Sequence, residues 1–400
     1  MNGETPPTID FGHLLNRAEH LAVQDLQGIL ESTQEDLVRE RLRGNPEEGT
    51  ARYVRSGGYW RTLHTRLGTV RVRIQRLLDR VSRVTWSPLL LALGIGKKRY
   101  TRELRLAAAE LATRTSYEEA SQALVRTLGF RIPRRTIWNF VQEIAGVVKG
   151  VLRRAPPPSP ERHQGLTHLA DSTFVRGRRR RQQHEIEVGI RQGQDHRLEL
   201  VDVRVGGPPG ASLAGEEVHR LTTDDAPGLR AFGAAHQQLC HVHFVRHLAD
   251  LLGEEGVSLP QREGILAPVR GLLAHLRNSV EAHRHEGNGA AVTLRVQATL
   301  AELSALGQSL AQGGYPQSSR FVLREMRALV VFAQVGGGLW MPATSNGVER
   351  VMGMIADRCK RKWAHWNRGL QNLVLMMLAR KIRPMVYGMA VRRYLRWGSH

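Results

Sequence analysis

Cysteine is nearly absent from this chain. Its 400 residues include only Cys240 and Cys359. Two cysteines make no disulfide framework, and their scarcity suits a reducing cytosol. Lysine is almost as rare. Of 58 basic residues six are lysine, at positions 97, 98, 149, 360, 362 and 381, which leaves 52 arginines. Acidic residues number only 37. No run of about 18 apolar residues occurs, so a membrane-spanning helix is not expected. The opening MNGETPPTID lacks a basic stretch followed by an apolar core, so no signal peptide is expected.

What remains is an arginine-rich chain of net charge +21 and pI near 11.1. Arginine pairs bidentately with phosphate and keeps its charge when partly buried. A polyanionic partner follows, most simply nucleic acid. The charge lies in apolar-periodic stretches rather than in basic tails, which argues against a ribosomal type. A hydrophobic content of 41% supports real cores, and the length suits two or three domains.

Residues 13–43 carry Leu14, Leu15, Ala18, Leu21, Ala22, Leu26, Ile29, Leu30 and Leu37 near helical spacing. Residues 56–77 alternate as a β-hairpin: Leu63, Thr65 and Leu67, a turn at Gly68-Thr69, then Val70, Val72 and Ile74. Arg61, Arg66, Arg71, Arg73 and Arg76 lie on it. Such a ribbon suits DNA, and it equally suits a solvated outer face. Residues 87–150 are helical in pattern. Ser116-x-x-Glu119 is a capping box, Gly129-Phe130 breaks the helix, and Arg134-Arg135 open the next. The unit 116–145 reads as a helix-turn-helix with Arg134 and Arg135 toward DNA, or as a plain helical hairpin. A Pro-rich linker follows at 153–164, so 1–152 forms a mainly helical N-terminal DNA-binding region carrying the hairpin.

After the linker the period changes to strands. Thr167–Val175, His184–Arg191 and Leu198–Val205 read as an antiparallel meander. A short crossover helix is expected at Ala211–Arg220, a fourth strand at Leu221–Asp224, a helix at Ala226–His236, and a fifth strand at Gln237–His243. The class is α/β, and this order is that of the ribonuclease H fold. Open α/β sheets place their sites at strand ends. Three acids stand out there. Asp171 interrupts the apolar run LTHLADSTFV, which is unfavourable unless something cationic holds it. Asp224 closes the fourth strand. Glu349 follows in TSNGVER. Phosphodiester cleavage and joining need an activated nucleophile and a stabilised leaving oxygen, which two divalent ions between carboxylates supply. Each acid has a plainer reading: a β-bulge at Asp171, turn chemistry at Asp224, and a capping box from Asn346 to Glu349. Cys240, His243 and His247 could also hold zinc, although no second ligand cluster completes such a site.

Four stretches together resemble the DDE transposases of bacterial insertion sequences, Mutator-like type, within the ribonuclease H-like superfamily. They are SGGYWRTLHTRLGTVRV, LADSTFV, TTDDAPGLRAF with CHVHFVRHL, and TSNGVERVMGMIADRCKR. The resemblance implies catalytic, metal-binding acids at Asp171, Asp224 and Glu349, two Mg2+ or Mn2+ ions, and Cys240 with His243 as a signature pair near the site. It implies core segments at 165–247 and 339–400, separated by an all-α insertion at 248–338. Helices are expected there at Leu248–Leu252, Ile265–Val280, Ala290–Leu310 and Ser318–Val335, then at Glu349–Cys359 and Gly369–Ile382. Double-stranded DNA is the expected partner, as element ends and as target, with a homodimer or larger assembly on it. The cytoplasm is the expected location, at the nucleoid when bound. Further DNA contacts are expected at Arg178, Arg179, Arg180 and Arg181, and at Arg358, Lys360, Arg361, Lys362 and Trp363. The rival reading is a non-catalytic DNA-binding protein, a regulator or a domesticated transposase. A free-standing ribonuclease H-like nuclease is a second rival.

Overall fold

The computed structural model describes residues 11–43, 52–95, 98–154, 166–177, 182–224, 229, 231–335, 340–360, 366 and 369–396. It is a mixed α/β protein with two sheets. The chain divides into two compact units, Met1–Val151 with Met385–His400, and Leu152–Pro384. The last helix thus groups with the first unit, whereas the sequence reading keeps 339–400 together. No described helix is long and apolar enough to cross a membrane.

The first unit opens with helix α1 (Phe11–Leu42), followed by a three-stranded antiparallel sheet: β1 (Tyr53–Thr65), β2 (Gly68–Asp79) and β3 (Thr85–Trp86). The alternation predicted for the hairpin holds. Val70, Val72 and Ile74 are buried with Leu63, while Arg71 and Arg73 face outward. The turn differs from expectation. Thr65 pairs with Gly68, so the loop is Arg66-Leu67 rather than Gly68-Thr69. The cause is Thr65, whose hydroxyl donates to the Gly68 carbonyl and accepts the Leu67 N–H. Buried Gln34 of α1 holds the helix to the sheet by donating to the Arg73 carbonyl and accepting the Gln75 N–H, each at 2.8 Å.

Helices α2 (Pro88–Ala92), α3 (Arg102–Ala112), α4 (Tyr117–Leu128) and α5 (Arg134–Arg154) follow. The capping box at α4 is present in full, with Ser116 accepting from Glu119 N–H and Glu119 accepting from Ser116 N–H. Gly129 ends α4 at φ 71°, a conformation that glycine adopts without a Cβ clash. Helix α5 runs to Arg154, into the start of the expected linker, and residues 155–165 lie outside the described part. Helix α13 (Pro384–Arg396) closes this unit: Tyr387 and Tyr394 donate to Glu110 and Glu143.

The second unit is built on a five-stranded sheet of β4 (Thr167–Arg176), β5 (Gln183–Gln192), β6 (Leu198–Val205), β7 (Arg220–Thr223) and β8 (His236–Leu239). Its order is β6-β5-β4-β7-β8. β5 runs antiparallel to β4 and to β6, and β7 and β8 run parallel to β4. The crossover expected at Ala211–Arg220 is only a 3-10 turn at Ala211–Leu213. Glu187 explains why, because its carboxylate takes the N–H groups of Gly210 and Ser212, both at 2.6 Å. The helix expected at Ala226–His236 is not formed over most of its length: residues 226–228 and 230 lie outside the described part, but 231–235 are turn, bend and irregular chain, and His236 already opens β8.

Helices α6 (His241–Glu254), α7 (Leu259–His285), α8 (Gly289–Gln312), α9 (Pro316–Glu325) and α10 (Val331–Gln334) come next. Phe244, Leu248, Leu273, Leu303 and Phe321 share one core, with Phe244 and Leu248 wholly buried. Each such side chain contributes roughly 1.5–3 kcal/mol by leaving water. The single helix expected at Ser318–Val335 is divided between α9 and α10. The break frees carbonyls for the sheet: Ala328 accepts from Leu239 N–H, and Leu329 accepts from the Gln238 side chain. Gln238, wholly buried, also accepts the Phe332 N–H at 2.8 Å. The chain then returns along the sheet, where Thr167 and Thr222 donate to the Trp340 and Pro342 carbonyls. This return delivers α11 (Asn346–Cys359) against β4 and β5. Gly347 permits the approach, since a Cβ there would stand 2.7 Å from Gln192 Oε1. Helix α12 (Leu370–Ile382) packs on β6.

Candidate metal centre

The parallel pairing of β4 with β7 ends at Ala170 and Thr223. Asp171 and Asp224 are each the next residue, so two carboxylates emerge side by side, Asp171 from the middle of β4 and Asp224 just past the end of β7. The Ser172 N–H donates to Asp171 Oδ1 at 2.7 Å, and the Thr223 hydroxyl donates to Asp224 Oδ1 at 3.2 Å. These local bonds orient both acids without neutralising them.

The next strand supplies the following pair. The fifth strand was expected to reach His243, but it stops at Leu239. Cys240 is the N-cap of α6, and its carbonyl already accepts the Phe244 N–H. His243 is therefore in the first turn of a helix. The Cys240 N–H donates to the Thr223 carbonyl at 2.8 Å, which fixes this turn beside Asp224.

Glu349 comes from α11. Its proposed capping role fails on geometry: the N-cap is Ser345, not Asn346, and it makes no side-chain cap bond. Instead the Ser345 hydroxyl lies 3.3 Å from Glu349 Oε1, 3.3 Å from His243 Nδ1 and 3.2 Å from Cys240 Sγ. His243 Nδ1 is 3.8 Å from Glu349 Oε1. Two donor sets could hold a metal ion among the described residues, Asp171 with Asp224 and His243, and Cys240 with His243 and Glu349. Within each set the donor atoms lie within 4.8 Å of one another. His247 belongs to neither, for its ring packs on Phe321 at 4.4 Å between centroids.

The electrostatics mark the same spot. Burial pushes the Asp171 carboxyl up to about 6, and the neighbouring charges of Asp224 and Glu349 add to the rise. Buried like charges disfavour ionisation unless a cation joins them. Cys240 is buried too, which alone would raise its thiol. Hydrogen bonds from His243 and Ser345 outweigh that and lower it. His243 is raised, chiefly by its bond to Cys240 and then by the charges of Cys240, Asp171 and Asp224, against burial. Cys359, the other cysteine, is a plain buried thiol pushed up to about 11.

The other expected contacts divide. Arg134 and Arg135 are exposed in the first turn of α5, where the Arg135 guanidinium lies 4.1 Å from the Trp138 ring centre. Lys360 is exposed. Arg358 is not displayed: it is 6% exposed and lies over the Trp366 ring at 5.0 Å. Arg178, Arg179, Arg180, Arg181, Arg361, Lys362 and Trp363 fall outside the described residues. Ser345 was missed from sequence. Its only signal was a hydroxyl four residues before Glu349, at the N-cap of that helix.

Comparison with family models finds none that matches the chain, and comparison with curated proteins finds no match.

Proposed function

We propose that this protein is a transposase that binds the ends of its own DNA element, cuts them, and joins the freed 3′-hydroxyl to target DNA. The observation that carries the reading is the emergence of Asp171 and Asp224 side by side where the parallel pairing of β4 and β7 ends, with Glu349 close enough to raise the Asp171 pKa. The strand order β6-β5-β4-β7-β8, antiparallel and then parallel, supports a ribonuclease H-like core. Helices α6–α10 between β8 and α11 fit the all-α insertion. Net charge and exposed Arg134 and Arg135 support DNA as the partner.

Asp171, Asp224 and Glu349 are the residues that would hold Mg2+ or Mn2+, since hard cations take carboxylate oxygens. Bound ions of this kind activate the attacking hydroxyl and stabilise the leaving oxygen. The fit to a cation rests on the buried, like-charged acids themselves. The chain's own share is positioning. The Ser172 N–H sets the Asp171 rotamer, the Thr223 hydroxyl sets Asp224, and Ser345 sets Glu349. Two element ends call for at least two copies on DNA.

The test is strand transfer on the gene's own flanking sequences, with and without Mg2+. Asp171→Asn is expected to abolish cutting and joining while DNA binding persists. Wild-type protein that binds these ends but never cuts them would sink this reading in favour of a non-catalytic DNA-binding protein.

A further inference from the structure

We infer that His243 is itself a ligand: its Nε2 joins Asp171 and Asp224 on one divalent ion, and this nitrogen makes the site favour Mn2+ over Mg2+. The inference rests on the reading of these acids as a cation site.

Three observations converge on it. One donor atom from each of Asp171, Asp224 and His243 lies within 4.8 Å of the others. Bonds to such ions are about 2.0–2.2 Å long, so donors on opposite sides of one ion stand roughly 4.2 Å apart. Donor atoms no more than 4.8 Å apart are compatible with that span. The second observation is how the ring is held. A metal-bound histidine gives its other ring N–H to an oxygen, which fixes tautomer and orientation. Here Nδ1 lies 3.3 Å from the buried Ser345 hydroxyl and 3.8 Å from Glu349 Oε1. The ring is held further by its hydrogen bond with Cys240. The third is the backbone. The bond from Cys240 N–H to the Thr223 carbonyl locks the first turn of α6 to the strand end that carries Asp224.

The competing set, Cys240 with His243 and Glu349, is a poorer place for an ion. The Ser345 hydroxyl already occupies the point between those three side chains, 3.2 to 3.3 Å from each. An ion there would have to displace it. The donor set then decides the metal. Carboxylate oxygens accept Mg2+ and Mn2+ alike, whereas imidazole suits transition ions better than Mg2+. An all-carboxylate site would lack that preference.

The test uses the full-length protein loaded with Mn2+ alone and read by pulsed electron paramagnetic resonance. The expected result is a 14N coupling to the ion, replaced by a 15N coupling when the protein carries 15N-histidine. His243→Gln is expected to lose the coupling and to weaken Mn2+ roughly tenfold, with Mg2+ affected much less. The isotope arm leaves the fold untouched, so it decides the matter even if the variant misfolds. Mn2+ bound in an Asp171-dependent way but without nitrogen coupling overturns the inference and leaves the cation site standing. Failure of wild-type protein to bind Mn2+, or binding unchanged by Asp171→Asn, overturns both.

Discussion

The Ser345 hydroxyl stands 3.3 Å from Glu349 Oε1 and binds it across one turn of the same helix. The same residue meets Cys240 Sγ at 3.2 Å through both its hydroxyl and its N–H. One buried serine therefore ties α11 to the start of α6, and Glu349 to Cys240 and His243. Ser345→Ala removes the hydroxyl and leaves Glu349 Oε1 to find another orientation. Loss of an orienting partner of a metal ligand costs about 10- to 100-fold in metal affinity or activity. The variant is expected to need more Mg2+ for half-maximal cutting, by about that factor. Titration of strand cleavage against Mg2+ measures it, and an unchanged curve would remove Ser345 from the site.

The exposed and buried arginines make opposite predictions. Binding of DNA weakens with salt by a slope of about −0.9 in log–log terms for each phosphate neutralised. Arg134 and Arg135 are exposed at the start of α5. Replacing both by alanine is expected to reduce that slope by about 1 to 2, as read from binding isotherms at several salt concentrations. Arg358 is buried over Trp366, and Trp366 Nε1–H donates to the Cys359 carbonyl. Arg358→Ala is expected to leave the slope unchanged and to lower the melting temperature.

Local signals were legible and distant ones were not. The capping box of α4 and the alternation of β2 concern neighbours in sequence, and both appear as read. The turn of the first hairpin was misplaced because Gly68-Thr69 has turn composition, while the Thr65 hydroxyl decides the matter from outside that pair. β8 stops early because Cys240 begins a helix, and nothing in the apolar pattern QQLCHVH distinguishes the two. Asp171 could be singled out because an acid in a buried strand is costly. Its nearness to Asp224 depends on a parallel pairing some 50 positions away in sequence, and the part of Ser345 depends on a partner 105 residues earlier. No spacing rule reaches that far.

Gln238 tests how the returning chain is held. It is wholly buried on β8, donates to the Leu329 carbonyl at 3.0 Å and accepts from the Phe332 N–H. Gln238→Leu keeps most of the volume and removes these bonds together with the one its side chain donates to the Leu239 carbonyl at 2.7 Å. A buried donor or acceptor left without a partner costs about 1–3 kcal/mol. The variant is expected to lose stability in that range in chemical unfolding. Exchange of the Phe332 amide is expected to accelerate more than exchange of the α8 amides. Uniform acceleration across both would mean that Gln238 only fills space.

Glu216 gives a pH dependence of known sign. Its carboxylate is held down to about 2, first by the hydrogen bond from His168 and also by Arg191, against the opposing effect of burial. The ordinary value is near 4.5, so the folded state binds this proton more weakly than the unfolded state does. The resulting stability is fully present above the ordinary value and is lost as pH falls from there toward 2. It amounts to something on the order of 2 kcal/mol at neutral pH. Glu216→Gln is expected to melt below wild type at pH 7, with the two curves converging as pH approaches 2. The check is a series of thermal melts between pH 7 and 2.5 on both proteins. A constant gap across that range would mean that the glutamate acts by shape and not by charge.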